Sequence, residues 1–157
     1  MSGLSETDID TVLDIEAASF PSPWSRASFE GEIAEKASRN LVIKKKQQGK
    51  PDRVIAYLFF KLLEDEMYIV NLAVDPAYRR CGVATFLLEY SLKLARRYSF
   101  KKTFLDVRAS NDSAIKLYKK MGFCEVGRRQ RYYLETREDA VVMVKEMTGA
   151  ADQDIRV

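Results

Sequence analysis

Apolar residues Ile9, Val12, Leu13 and Phe20 recur at helical spacing, and Ser5 followed by Glu6 and Asp8 reads as a helix start, so a helix is expected over residues 5–19. Pro21 and Pro23 break it, and Ser25 caps a second helix with Phe29 and Ile33 on its buried side. The pattern then becomes strand-like. Residues 41–45 and 54–63 are rich in β-branched and aromatic side chains, and the polar KKKQQGKPD between them, with Gly49 and Pro51, reads as a hairpin turn. A third apolar strand over residues 67–74 ends at Asp75-Pro76. Residues 82–98 return to helical spacing, with Val83, Leu87, Tyr90 and Leu94 on one face. A short buried strand over 103–107, a short helix over 113–121 capped by Gly122, and two closing strands over 123–134 and 140–146 complete the pattern. The tail from Thr148 is expected to be disordered.

This order predicts a mixed α/β layout, one sheet with helices on its faces, in a single domain over residues 1–147. A strand before the first helix has little support. The 157 residues suit one ordinary domain. With 26 basic and 23 acidic residues, the net charge of +3 is too small to imply direct nucleic-acid binding. Cys81 and Cys124 form no framework pattern and read as free thiols of a reducing cytoplasm. The acidic N-terminal stretch leaves no apolar core for a signal peptide, and no stretch approaches the roughly 18 apolar residues that span a bilayer, so a cytoplasmic protein without membrane contact is expected. The chain has no histidine, which removes Ser-His-Asp and Cys-His mechanisms and every His-containing zinc site; no metal is expected. Chemistry here has to run on carboxylates, tyrosine, lysine, cysteine or the backbone.

The most informative stretch is residues 68–95, where a buried strand ends at Asp75-Pro76 and the short loop Arg79-Arg80-Cys81-Gly82 opens a long amphipathic helix. Free N–H groups and the helix dipole favour an anion at such a start, and Gly82 lets the backbone come close to a phosphate. The chain contains no G-x-G and no G-x-x-x-x-G-K-[ST], which excludes Rossmann and Walker loops. From these residues alone, a plain strand-to-helix connection with solvated arginines is equally compatible.

Arg79-x-x-Gly82-x-Ala84 matches the [QR]-x-x-G-x-[GA] signature of GNAT acetyltransferases, and the preceding LAVDPAYR resembles the stretch that leads into it. RASNDSAIKLYKKMGF, residues 108–123, resembles the second family motif, N-x-x-A-x-x-L-Y-x-x-x-G-F. Two motifs in order, with a helix and a strand between them, are far more specific than either alone, and the resemblance covers residues 5–147. It implies the GNAT fold, a single mixed, mostly antiparallel central sheet flanked by helices, and transfer of acetyl from acetyl-CoA to an amine.

The resemblance also implies roles. Backbone groups of Arg80, Cys81, Gly82, Val83, Ala84 and Thr85, with Arg79 opening the signature, would hold the CoA pyrophosphate. Leu72, Ala73 and Val74 would pair with the pantetheine arm like an added strand, and a backbone N–H there would stabilise the oxyanion. Asn111 would bind the cofactor near the pantetheine, a role compatible with capping the following helix. Tyr118, which spacing alone makes a core residue, would protonate the departing CoA thiolate. Asp106 interrupts an otherwise apolar strand. It reads either as the general base, directly or through water, or as a structural partner of Arg108 on the same strand face. The family transfers acetyl directly to the amine, so Cys81 is not expected to act as a nucleophile.

Three stretches, IEAASFPSPWS, LDVRASNDSAIKLYKKMGF and RRQRYYLETREDAVVMVKEM, are similar to the RimI-type branch, bacterial enzymes acetylating the N-terminal alanine of a small-subunit ribosomal protein. In that branch Tyr132 and Tyr133 would border the acceptor, and a loop in the region of Trp24 would help form the acceptor groove. The implied partner is a protein N-terminus, and the implied state a monomer or weak oligomer. Asp106 departs from the branch's usual glutamate, and Arg131 stands where a small or polar residue is common. An enzyme for another amine and a non-catalytic acetyl-CoA-binding module remain open, the second disfavoured by the intact Asn111 and Tyr118.

Overall fold

The computed structural model describes residues 3–147; the tail expected to be disordered lies outside them. A 3₁₀ turn (Glu6–Asp8) leads into α1 (Ile9–Ser19), followed by α2 (Arg26–Ala34), β1 (Ser38–Gln47), β2 (Lys50–Leu63) and β3 (Glu66–Val74). A second 3₁₀ turn (Pro76–Tyr78) precedes α3 (Val83–Arg97), β4 (Lys102–Arg108), α4 (Asp112–Lys120), β5 (Cys124–Tyr133) and β6 (Glu138–Glu146). The strands form one six-stranded sheet in the order β1-β2-β3-β4-β6-β5. The pairs β1–β2, β4–β6 and β5–β6 are antiparallel. This is the mixed α/β sheet expected from the pattern. Among the described residues no strand precedes α1, and no helix is long and apolar enough to cross a membrane.

The residues group into two compact units, one holding residues up to 61 with 69–88, the other 62–68 with 89 onward. In the first, Val54 to Phe60 of β2 are buried without a break, the mark of a strand covered on both faces. Val12 and Ile15 of α1, Phe29 of α2, Val42 of β1 and Tyr57, Phe59 and Ala73 of the sheet share one cluster, against which Phe20 and Trp24 pack. Phe29 meets Tyr57 edge-on at 5.8 Å and Phe59 at 5.6 Å. Ile33, expected inside, is 39% exposed, because Phe29 alone fills the contact of this short helix. The β1–β2 turn is tighter than the polar run suggested: Gly49 takes the left-handed φ of 69° and Pro51 already lies in β2.

In the second unit β4 alternates, with Thr103, Leu105 and Val107 buried and Phe104 and Asp106 partly open. Leu92 and Ala95 of α3, Tyr118 of α4, Phe123 and Met143 are buried with them. Tyr90, placed on the buried face of α3 by its spacing, is 38% exposed, while the small Ser91 is fully buried. Gly122 ends α4 with φ 92°, and a Cβ there would meet Lys145 Nζ at 2.4 Å.

The start of α1 is held by Asp8. Its Oδ2 accepts hydrogen bonds from the Ser5 N–H and hydroxyl at 2.9 and 2.6 Å and an ion pair from Lys44 of β1 at 2.8 Å. Burial opposes the charge, but these donors outweigh it and hold the carboxyl below the ordinary aspartate value of 3.8. A depressed folded pKa stabilises the fold above the unfolded value and loses that effect as pH falls through the folded one. Asp8→Asn is therefore expected to lower unfolding free energy by about 1–2 kcal/mol at neutral pH, and the gap should close below about pH 4. Urea denaturation at several pH values measures both.

Candidate active site

The loop before α3 carries two left-handed residues, Arg80 at φ 62° and Gly82 at φ 77°. Such φ values are strained for arginine and free for glycine, and turns of this kind aim backbone N–H groups into a common concavity. The Phe86 N–H closes the first helical turn on the Gly82 carbonyl at 3.0 Å. A Cβ built on Gly82 meets nothing within 4 Å, so the space over the loop is open, as a phosphate sitting on these N–H groups requires. Cys81 is exposed, and its thiol donates to the Arg79 carbonyl at 3.5 Å.

The Arg79 side chain turns away from this concavity. It donates to the Val74 carbonyl at 3.2 Å, the Ala18 carbonyl at 3.3 Å and the Ser19 hydroxyl at 3.1 Å. It thus satisfies the C-terminus of α1, and what the loop offers an anion at this position is backbone.

Beyond α1, the turn to Trp24 is fixed by Glu16. This carboxylate is 1% exposed. It accepts from the Trp24 N–H at 2.9 Å, from Asn71 Nδ2 of β3 at 3.0 Å and from the Tyr57 hydroxyl of β2. Burial first, then the adjacent carboxylate, pushes the Tyr57 phenol far above its usual range. The Trp24 ring rests 5.2 Å from Phe29 and 6.1 Å from Phe59.

In the other unit, β4, α4 and the β5–β6 hairpin gather polar groups. Arg108 is 7% exposed. Its Nη1 donates to Thr136 Oγ1 at 2.8 Å and Glu138 Oε2 at 3.3 Å, and its guanidinium lies 4.0 Å from the Tyr133 ring centroid. Asp106 instead meets Arg129 of β5 at 3.4 Å. Hydrogen bonding from Ser110, and, against burial, from Thr136 and Arg108, keeps the Glu138 carboxyl below its usual range. Tyr118 is buried and meets Phe123 at 5.9 Å. Burial, then repulsion from a Tyr133 phenolate, raises its phenol well above the ordinary tyrosine value. Burial pushes Tyr133 up to about 12; Arg108 pulls it down, while Asp106, Tyr132 and Glu138 push it further. Both phenols are therefore protonated donors at working pH. Asn111 caps α4, its Oδ1 accepting from the Ala114 N–H at 3.3 Å.

A GNAT acetyltransferase family model matches residues 9–123. The chain belongs to the GNAT acetyltransferase family. It is similar to the [ribosomal protein bS18]-alanine N-acetyltransferases of Escherichia coli K12, 36% identical over 145 residues covering 91% of this chain and 94% of that one, and of Salmonella typhimurium, 35% identical over 142 residues covering 89% and 92%. Among solved structures it superposes on the E. coli ribosomal-protein-S18-alanine N-acetyltransferase with TM-score 0.81 at 31% identity, covering 99% of this chain and 97% of that one. Ard1 from Thermoplasma volcanium follows at TM-score 0.79 and 26% identity, over 92% and 95%. The protein is thus an acetyl-CoA-dependent N-acetyltransferase with the sheet-and-helix architecture its motifs implied.

Of the two readings open for Asp106, the one that pairs it with Arg108 is not met: the two share a strand face without forming an ion pair. Arg108 Nη1 is taken by Thr136 and Glu138, and Asp106 turns to Arg129. Leu72, Ala73 and Val74 end β3 as expected. Tyr132 and Tyr133 contact edge-on at 5.3 Å, and Tyr132 is 52% exposed. Sequence reasoning missed Glu16, Glu138 and the true partners of Arg108. Glu16 had a visible signal, because it stands four residues after Val12 and four before Phe20, on the apolar face of α1.

Truncating Glu16 to alanine would strand a buried phenol and a buried amide without an acceptor. Glu16→Ala is expected to cost about 3 kcal/mol of unfolding free energy, read by urea denaturation. A loss under about 1 kcal/mol would mean that water replaces the carboxylate.

Proposed function

We propose that this acetyltransferase modifies the N-terminal α-amine of a protein, an alanine at the head of a small-subunit ribosomal protein, by direct attack of the amine on the acetyl-CoA thioester. The observation that carries this reading is the similarity, over about nine-tenths of both chains, to E. coli and Salmonella enzymes that act on the N-terminal alanine of ribosomal protein bS18. A ribosomal acceptor also agrees with a cytoplasmic setting and with a modest net charge of +3.

The chemistry follows from the residues. Backbone N–H groups over residues 80–85 and the α3 dipole hold the pyrophosphate, which suits the two left-handed turns and the open space above Gly82. The strand end at Leu72, Ala73 and Val74 pairs with the pantetheine arm, and Asn111 binds beside it. Trp24, Tyr132 and Tyr133 border the acceptor peptide. An α-amine has a pKa near 8, against roughly 10.4 for lysine, so a far larger share is unprotonated at neutral pH and ready to attack. Asp106 takes the proton the amine loses, directly or through ordered water. The thioester carbonyl gains negative charge as the amine adds, and a backbone N–H of β3 stabilises it. When the carbon–sulfur bond breaks, the thiolate needs a proton, and the Tyr118 phenol, held neutral by burial, supplies it.

Tyr118→Phe removes that proton and keeps the ring in the core. It is expected to lower kcat by about 10²–10⁴ with little change in the acetyl-CoA dissociation constant; near-normal turnover would return Tyr118 to a packing role. The acceptor class is tested with peptides that begin with alanine and contain lysine. Blocking the α-amine while leaving the lysines free should abolish acetyl incorporation by mass spectrometry. Persistent labelling on lysine, or free polyamines outcompeting every peptide, would remove the N-terminal acceptor and leave only the N-acetyltransferase activity.

A further inference from the structure

Arg108 closes β4 with its guanidinium almost sealed from water. Burying a cation costs heavily unless its donors and faces are matched, and an apolar side chain would fill the same volume without that cost. Among the described residues, three contacts of the guanidinium fall on one object, the reversal from β5 to β6: Thr136 at 2.8 Å, Glu138 at 3.3 Å and the Tyr133 ring at 4.0 Å.

That reversal is the part of the hairpin least fixed by strand pairing. The β5–β6 register shifts between Arg129 and Tyr133, and Arg131 sits at φ 47°, a strained value for a side chain of its size. Asp139 supplies a second tie, its side chain accepting from the Arg131 N–H at 3.0 Å and its carbonyl from the Ala109 N–H at 3.1 Å. Asp139 fixes only backbone. The ring of Tyr133 is held by Arg108.

We infer that Arg108 is a positioning residue for the acceptor: its planar guanidinium clamps the Tyr133 ring and the β5–β6 reversal to the end of β4, and so sets affinity for the acceptor peptide rather than the rate of acetyl transfer. The inference rests on the reading that places Tyr133 beside the acceptor. A planar guanidinium is required because its Nη1 must donate to Thr136 and Glu138 while its face is presented to the ring; an ammonium offers no flat face. Interactions made equally in ground and transition states move KM and leave kcat alone.

The test is steady-state kinetics of the full-length protein with acetyl-CoA and a synthetic peptide beginning with alanine, for Arg108→Met, Arg108→Lys, Thr136→Val and Tyr133→Ala. Arg108→Met and Tyr133→Ala should raise the peptide KM about tenfold, the scale set by losing one strong polar contact. The kcat and the KM for acetyl-CoA should stay within about twofold. Arg108→Lys should recover only part of the loss. Thr136 is exposed, so Thr136→Val keeps the core intact and decides the matter if Arg108→Met does not fold; it should raise the peptide KM about threefold. If Tyr133→Ala raises the peptide KM and the Arg108 and Thr136 variants do not, the clamp is overturned and the acceptor reading stands. If Tyr133→Ala leaves the peptide KM unchanged, the acceptor reading fails and the clamp fails with it.

Discussion

The Glu16 carboxylate is sealed from water and must take its hydrogen bonds from the protein. It receives them from three separate pieces of chain: the Trp24 N–H after α1, the Tyr57 hydroxyl of β2 and the Asn71 amide of β3. An unmatched buried carboxylate costs far more than any one of these bonds returns. The helix, the turn to Trp24 and both strands are therefore constrained as a set, and the aromatic cluster of Phe29, Tyr57 and Phe59 packs around the solution they share. Hydrophobic burial supplies most of the stability of such a core but has little directional preference. Glu16 supplies the direction. Arg79 adds to it at the end of α1, where its guanidinium takes up the Ala18 carbonyl and the Ser19 hydroxyl and also ties the loop before α3 to Val74.

Arg108 applies the same constraint with the opposite sign. Its Nη1 is matched by Thr136 and Glu138 and its face by Tyr133, so a hairpin with an interrupted register acquires one position. Around it lie phenols whose burial keeps them protonated. A neutral phenol in a low-dielectric setting can donate a hydrogen bond to a departing thiolate as negative charge builds on its sulfur. The elements that fix geometry here are buried charges matched by protein groups, and the groups proposed to meet substrate are neutral or only lightly held.

Much of this was legible in the chain. Every helix and strand was expected within a few residues, because each apolar run keeps one period and is bounded by Pro, Gly or a capping residue. The loop before α3 and the helix bearing Tyr118 were legible through two motifs in order. Three things were not. Ile33 and Tyr90 satisfy the helical period yet face solvent, since period states which residues can share a face and not how wide the buried stripe is. The β1–β2 turn was overestimated because a polar composition does not separate turn from exposed strand. The partners of Arg108 were not legible because side-chain reach along one strand competes with reach across the neighbouring one. Glu138 lies 30 residues away, and only the β4–β6 register, Arg108 opposite Ala140, brings it near.

That register also separates two carboxylates at the same end of the sheet. Glu138 is held by Arg108, whose side chain is 8% exposed, and by hydrogen bonds that keep it charged. Asp106 meets Arg129 at 3.4 Å, with the arginine side chain 55% exposed. An ion pair of that kind contributes about 0–1 kcal/mol, so Arg129 can swing into solvent at little cost and leave the Asp106 oxygens free. A proton acceptor has to present a lone pair to an incoming amine or to its water, and Glu138 Oε2 is already engaged by Arg108. Glu138 thus holds the hairpin, and Asp106 is the carboxylate proposed to receive the proton. The shorter aspartate side chain fits this division, since reach not supplied by a methylene can be supplied by an ordered water between carboxylate and amine.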